Sequence, residues 1–149
     1  MIIREVDWDD PAGEALRVAQ RAELTERYGR ADSEPGPAPT ASDVALFLVA
    51  FDGKDAIGCG GLRPLDQTHG EIKRMFVRPG FRGKGVSTAI LRALETAARE
   101  RGWQRLVLET GDRQPDAMRF YEREGYTPIP RFGYYVDSEL SRCYERVLG

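Results

Sequence analysis

The sequence predicts an α/β fold of the α+β kind: a mixed, mostly antiparallel sheet of six to seven strands flanked by about four helices. Two patterns carry this. Apolar runs of strand length at 45–51, 56–62 and 71–77 follow one another with only short polar turns between them, which reads as an antiparallel meander. Around the meander lie longer segments with apolar residues at helical spacing, each closed by a glycine. A third observation bounds the whole. The chain has 149 residues with 41% hydrophobic and 31% charged, which suits one domain, residues 1–149, around one sizeable core.

The elements follow in order. Ile2, Ile3 and Val6 suggest a short first strand. Asp10-Pro11 opens a helix, with Asp as cap and Pro in the first turn. That helix runs to about Tyr28, with Ala15, Val18, Ala19 and Ala22 as its apolar face, and Gly29 ends it. Ser33 to Pro39 holds three prolines and a glycine and cannot be regular structure. Ala45 to Phe51 is a buried strand, and Asp52-Gly53-Lys54 is a hairpin turn. Ala56 to Leu62 follows, where Gly58, Gly60 and Gly61 suggest a bulge or close backbone packing. Glu71 to Val77 is the central strand, stopped by Arg78-Pro79-Gly80. The next helix, about Gly85 to Arg101, sets Val86, Ile90, Leu94 and Ala97 on one face with Ala93 and Ala98 beside them, and Gly102 ends it. Leu106-Val107-Leu108 is a short strand ending at Glu109-Thr110-Gly111. Gln114-Pro115 opens a third helix carrying Ala117, Phe120 and Tyr121, with Gly125 at its left-handed end. Tyr126 to Ile129 and Cys143 to Leu148 are the closing strands.

Composition narrows the function. A net charge of −2 makes no basic field for nucleic acid or a membrane surface. The N-terminus lacks an apolar signal core, and no apolar run spans a bilayer. Cys59 and Cys143 lie in different strands, so reduced thiols in the cytoplasm are expected. The single histidine, His69, has no metal-ligand neighbours, so no metal is expected.

Between the central strand and the second helix lies Arg82-Gly83-Lys84-Gly85-Val86-Ser87. Strand, glycine-bearing basic turn and helix make an anion site. Free N–H groups at the helix start point outward, and the dipole adds partial positive charge. The stretch reads as a cradle for a pyrophosphate, with Arg82 and Lys84 adding mobile charge. The nucleotide-hydrolase P-loop pattern fails, because Gly85 follows Lys84. The dinucleotide fingerprint G-x-G-x-x-G fails at Thr88. The pattern that fits is R/Q-x-x-G-x-G/A, read as Arg82, Gly85 and Ser87, with Ser in place of the last small residue.

On this motif the chain resembles the GNAT superfamily of acetyl-CoA-dependent N-acetyltransferases. The order of elements matches that fold from end to end. Two further stretches match it, Glu71-Ile72-Lys73-Arg74-Met75-Phe76-Val77-Arg78-Pro79 and Gln114-x-x-Ala117-x-x-Phe120-Tyr121-x-x-x-Gly125-Tyr126. Gln114 and Tyr126 stand where family members usually carry Asn and Phe.

The resemblance implies acetyl transfer from acetyl-CoA to an amine, by direct attack in a ternary complex. It gives the pyrophosphate to the N–H groups of Gly83, Lys84, Gly85, Val86, Ser87 and Thr88, beside Arg82. It gives the pantetheine to the exposed backbone of Met75, Phe76 and Val77, with Gln114 nearby. Tyr121 is the expected acid for the leaving thiolate. Two glutamates are candidate bases. Glu109, after an apolar run, is expected to be the drier and nearer one. Glu71, with Lys73 on its face, would order the water or the incoming amine. The loop Phe132-Gly133-Tyr134-Tyr135 and the proline loop near Glu34 are expected on the acceptor side. Their aromatic and acidic character suits a small amine. A protein N-terminal or lysine acetyltransferase, a non-catalytic acyl-CoA sensor and a homodimer are compatible with the same fold.

Overall fold

The structure, a computed structural model, describes residues 1–29 and 35–149. In chain order the elements are β1 (Ile2–Glu5), α1 (Pro11–Tyr28), β2 (Leu46–Asp52), β3 (Asp55–Pro64), β4 (His69–Val77), α2 (Val86–Glu100), β5 (Arg105–Gly111), α3 (Pro115–Arg123), β6 (Thr127–Ile129) and β7 (Ser141–Val147). Short 3₁₀ turns lie at Pro79–Phe81 and Gly133–Tyr135. The seven strands form one sheet in the order β1-β2-β3-β4-β5-β7-β6, antiparallel except for β4 against β5. The expected α+β fold is therefore present. Among the described residues it has three α-helices rather than about four.

The helix ends follow local chemistry. The Asp10 carboxylate accepts from the Ala12 N–H at 3.0 Å, and Gly29 takes φ 73° at the other end of α1. The expected apolar face of α1 is corrected except at Ala19, which packs against the Leu16 and Phe47 cluster. Val18 is 63% exposed, and Ala15 and Ala22 are also exposed, while Gly13 and Leu16 are buried. A Cβ on Gly13 would lie 2.6 Å from the Phe47 ring, so helix and sheet touch there without a side chain between them. The same side of α1 continues through Gln20, Glu23, Leu24 and Arg27, which line a cleft. Alanine spacing misled because polar residues occupy the inward face where the helix overhangs that cleft.

Two apolar clusters cover the faces of the sheet. Leu48, Leu62, Ile72, Leu106 and Leu108 pack under α2 with Ile90, Leu91 and Leu94. Phe47, Val49, Cys59 and Phe76 pack under α1 with Leu16. The glycines of β3 do mark close packing and a bulge. A Cβ on Gly60 would sit 2.5 Å from Met75 Sδ, and the β3–β4 register shifts between Cys59 and Gly61. Opposite the shift, Arg74 takes φ 59°, which re-aims the β4 backbone. One buried charge in α2 is unexpected. Glu95, 1% exposed, accepts from Arg92, Arg146 and the Tyr126 hydroxyl, stapling α2 to β7 and the end of α3.

The feature that positions everything else is a parting of two strands. β4 and β5 pair only from His69–Glu71 to Arg105–Val107. Beyond that, β4 stays with β3 as far as Val77, and β5 stays with β7 as far as Gly111. The gap opens under α1 and α3.

Candidate active site

The cleft formed by this parting runs from the start of α2 to the start of β7. At one end Gly85 caps α2 with φ 82°, and Gly83 takes φ 75°. No side chain caps the first turn of α2, and no acidic residue lies in it. The first amides of that helix are thus presented outward, and a Cβ on Gly83 or Gly85 would meet nothing within 4 Å. Arg82 differs from expectation. Its Nε donates to the Val77 carbonyl at 2.8 Å and its Nη2 to Glu23 at 2.6 Å, so it clamps the cradle to β4 and α1. Lys84 is exposed, with Nζ 5.6 Å from the centre of the Phe81 ring.

Met75, Phe76, Val77, Arg82, Gly83, Gly85, Val86, Ser87, Thr88, Gln114 and Tyr121 all line the cradle end of the cleft. Phe120 lines it as well, half-buried, besides packing edge-on to Tyr121 at 5.1 Å. The Gln20 amide donates to the Met75 carbonyl at 3.0 Å, across the cleft from α1 to β4. Met75, Gln114, Ala117 and Tyr121 also line the deeper part, which ends at Tyr28, Lys73, Glu109, Thr110 and Ser141. Burial pushes the Tyr121 phenol well above its ordinary value. It therefore stays protonated, and a possible donor, throughout the neutral range.

The two candidate bases differ in burial, and in the opposite sense to expectation. Glu71 is the drier, at 1% exposed, and does not line the cleft. Its Oε1 accepts from Arg63 at 2.6 Å and its Oε2 from the Tyr135 hydroxyl at 2.7 Å, with Lys73 Nζ 3.7 Å away. Lys73, itself buried, donates to the Tyr135 hydroxyl at 3.0 Å and reaches the cleft wall. Glu109 is half-buried, lines the cleft, and accepts from Ser141 Oγ at 2.6 Å. Cys143, opposite Glu109 on β7, senses both carboxylates. Burial pushes its thiol up to about 11, a backbone hydrogen bond at Phe132 pulls the other way, and Glu109 and Glu71 add to the rise.

The aromatic loop divides its residues. Tyr135 turns inward to Glu71, while Tyr134 is 62% exposed and lies against Gly36. Glu34 and the residues just before it lie outside the described residues. At the far end of α1, the Tyr28 hydroxyl accepts from the Arg113 N–H at 3.1 Å and leaves no room for a Cβ on Gly111. Gln20, Tyr28, Arg63 and Ser141 have no signal in the motifs. Arg63 alone was within reach of the sequence, since hairpin register places it opposite Glu71. No group of three or more metal-ligating side chains occurs among the described residues, and none of their helices is long and apolar enough to cross a membrane.

Comparison with known proteins agrees with this architecture. Residues 8–126 match the profile of the Acetyltransferase (GNAT) family. An IAA acetyltransferase from Azospirillum brasilense is 36% identical over 103 residues, covering 68% of this chain and 67% of that protein. The chain spans 67% of the length of that relative, and 64%, 57% and 52% of the length of three other curated relatives it matches. A protein of Klebsiella pneumoniae assigned to the acyl-CoA N-acyltransferases superposes with TM-score 0.83 at 31% identity, over 99% of this chain and 97% of the other. A GNAT family acetyltransferase from Elizabethkingia anophelis, solved with acetyl-CoA bound, shares the fold at TM-score 0.73 and 18% identity, over 99% and 97% of the two chains. With its parted central strands, its uncapped glycine cradle and this match across most of its length, the chain belongs to the GNAT acetyltransferase family.

Proposed function

We propose that this protein transfers the acetyl group of acetyl-CoA to the primary amine of a small molecule, by direct attack within a ternary complex. The observation that carries the reading is one continuous cleft with an uncapped, glycine-lined helix start at one end and a half-buried carboxylate, Glu109, at the other. The two ends suit the two substrates. The amides of residues 83–88 suit a pyrophosphate, and the unpaired edges of β4 and β5 suit pantetheine amides. Acetyl-CoA supplies an activated acyl group. The chain orients it and handles protons.

In this reading the ammonium of the acceptor gives its proton to Glu109, and the neutral amine attacks the thioester carbonyl. A backbone N–H of β4 donates to the carbonyl oxygen as charge develops there. The C–S bond breaks, the sulfur takes a proton from Tyr121, the proton lost by the new amide nitrogen restores Tyr121, and Glu109 releases the ammonium proton to solvent. Glu71 acts at one remove, fixing Lys73 and Tyr135 beside the acceptor end. The reading sets the protein in the cytoplasm, in line with its two buried free cysteines. Thiol release from acetyl-CoA, measured against a panel of small amines and peptides, is the test. Release with small amines is expected. Release only with peptides would move the acceptor to polypeptides, and binding of acetyl-CoA without release would make the protein a sensor.

A further inference from the structure

We propose that Ser141 is a positioning residue for this reaction, acting through Glu109 at the hub of a brace that spans the parted strands. The inference rests on the assignment of Glu109 as base. Where β4 and β5 separate, no ladder hydrogen bonds hold them to a fixed width. Both candidate carboxylates lie near this region, and a base must be held to a fraction of an ångström to be effective.

The chain between β6 and β7 supplies the missing tie. Ser141, 2% exposed, begins β7 opposite Gly111 and lines the cleft beside Glu109. Its Oγ lies 2.6 Å from Glu109 Oε2 and 2.8 Å from Ser138 Oγ. A hydroxyl has one proton, and the carboxylate is the stronger acceptor. The Ser141 proton therefore goes to Glu109, while Ser138 Oγ is the alternative acceptor of the same hydroxyl and the Ser141 N–H donates to the Ser138 carbonyl at 3.2 Å. The Ser138 N–H in turn donates to the Tyr135 carbonyl at 3.0 Å, and the Tyr135 hydroxyl donates to Glu71 at 2.7 Å. Seven residues of chain, from Tyr135 to Ser141, thus reach one carboxylate on each side of the gap. Arg131 fastens the same turn from outside, donating to the Ser138 carbonyl at 2.6 Å. A serine kept only for packing at this buried site needs no such geometry. A serine that sets the angle of a carboxylate does.

The test is a double-mutant cycle on the full chain: wild type, Ser141→Ala, Glu109→Gln and the double variant. It is read as kcat/KM for the acceptor, with acetyl-CoA affinity measured by calorimetry. Ser141→Ala should lose on the order of tenfold or more in kcat/KM, the scale of a hydrogen bond to a charged group. Acetyl-CoA affinity should not change. Ser141→Thr, which keeps the hydroxyl, should recover most of the rate. In the Glu109→Gln background, Ser141→Ala should have no further effect, because the two act as a unit. If Ser141→Ala unfolds the chain, Ser138→Ala carries the same test, with a smaller loss that also vanishes beside Glu109→Gln. Equal losses in both backgrounds, or wild-type kinetics for both serine variants, would overturn the proposal while leaving the acetyltransferase reading intact. A wild-type protein that releases no thiol with any amine removes that reading and this inference together.

Discussion

Arg63 and Glu71 face each other across β3 and β4, with the guanidinium Nη2 2.6 Å from the carboxylate Oε1. The Glu71 side chain is 1% exposed and that of Arg63 is 15% exposed. Such a pair contributes little over an apolar replacement, but losing one partner strands the other. Glu71→Ala should therefore cost about 3–5 kcal/mol, read from the denaturant midpoint. It also takes the acceptor from the Tyr135 hydroxyl and a counter-charge from Lys73. Arg63→Met combined with Glu71→Leu should recover only the part of that loss that comes from Arg63, since Lys73 and Tyr135 still lose the Glu71 carboxylate. A single variant as stable as wild type would show that the pair is solvated in solution.

Gly85 is expected to be intolerant for the ligand's sake more than for the fold's. A side chain there has open space but must adopt φ 82°, at a cost of roughly 1–2 kcal/mol. Gly85→Trp should stay folded and lose most of its acetyl-CoA affinity by calorimetry, since the indole occupies the approach to the amides. Lys84→Ala, on an exposed charge, should weaken binding only a few-fold. Normal binding by a folded Gly85→Trp protein would place the pyrophosphate elsewhere.

Alkaline conditions should destabilise the protein. Burial pushes the Cys59 thiol up to about 12 and Cys143 up to about 11, against an ordinary value of 9.0, and it raises Tyr121 and Tyr126 above 10.0. In each case the folded state holds its proton more tightly than the unfolded chain. Above about pH 9 the unfolded chain binds fewer protons, so stability falls as pH rises. Urea midpoints at pH 8 and pH 10.5 read this directly. An unchanged midpoint would mean that these groups are wetter than their burial implies.

Much of the fold and part of the site were legible because they rest on local chemistry. Gly53, Gly85 and Pro115 punctuate the chain by their own backbone limits, and Ile90 and Leu94 repeat at the helical period. The cleft at residues 75–88 was legible for the same reason, since backbone shapes it: Gly83 and Gly85 at positive φ, and a β4 that parts from β5. What escaped was set by distant contacts. Arg82 could be read as a loose cation only while Glu23, 59 positions earlier, was unplaced. The inward face of α1 was hidden because beyond Leu16 it runs largely through Gln20, Glu23 and Arg27, which inverts the usual pattern for an inward side. Ser141 is an ordinary serine until β7 pairs with β5 and sets it beside Glu109.

Tyr121→Phe should lower kcat on the order of a hundredfold with little change in acetyl-CoA affinity or melting temperature. The ring that packs on Phe120 and Tyr126 is kept, and only the hydroxyl is removed. Because burial raises the phenol above 10.0, Tyr121 should contribute no alkaline limb to the rate below pH 10. Unchanged turnover with chemistry rate-limiting would leave Tyr121 as a packing residue.

The choice between the two glutamates turns on access rather than dryness. Glu71 is locked by Arg63 and Tyr135 and lies off the cleft, whereas Glu109 is half-buried and lines it. A base must reach the acceptor nitrogen directly or through one water, and geometry comes before pKa in that test. A carboxylate acting as base is active when deprotonated, so kcat/KM for the acceptor should rise with pH through its ionisation and then level. Glu109→Gln should lose about a hundredfold in rate and abolish that rise. Glu71→Gln should lower activity in step with its lower stability but keep the shape of the profile. If Glu71→Gln abolishes the rise while Glu109→Gln preserves it, the proton leaves through Lys73 and Tyr135 to Glu71, and the order of the two carboxylates is reversed. If neither variant alters it, the acceptor reaches the thioester already neutral, and both carboxylates serve to hold the cleft.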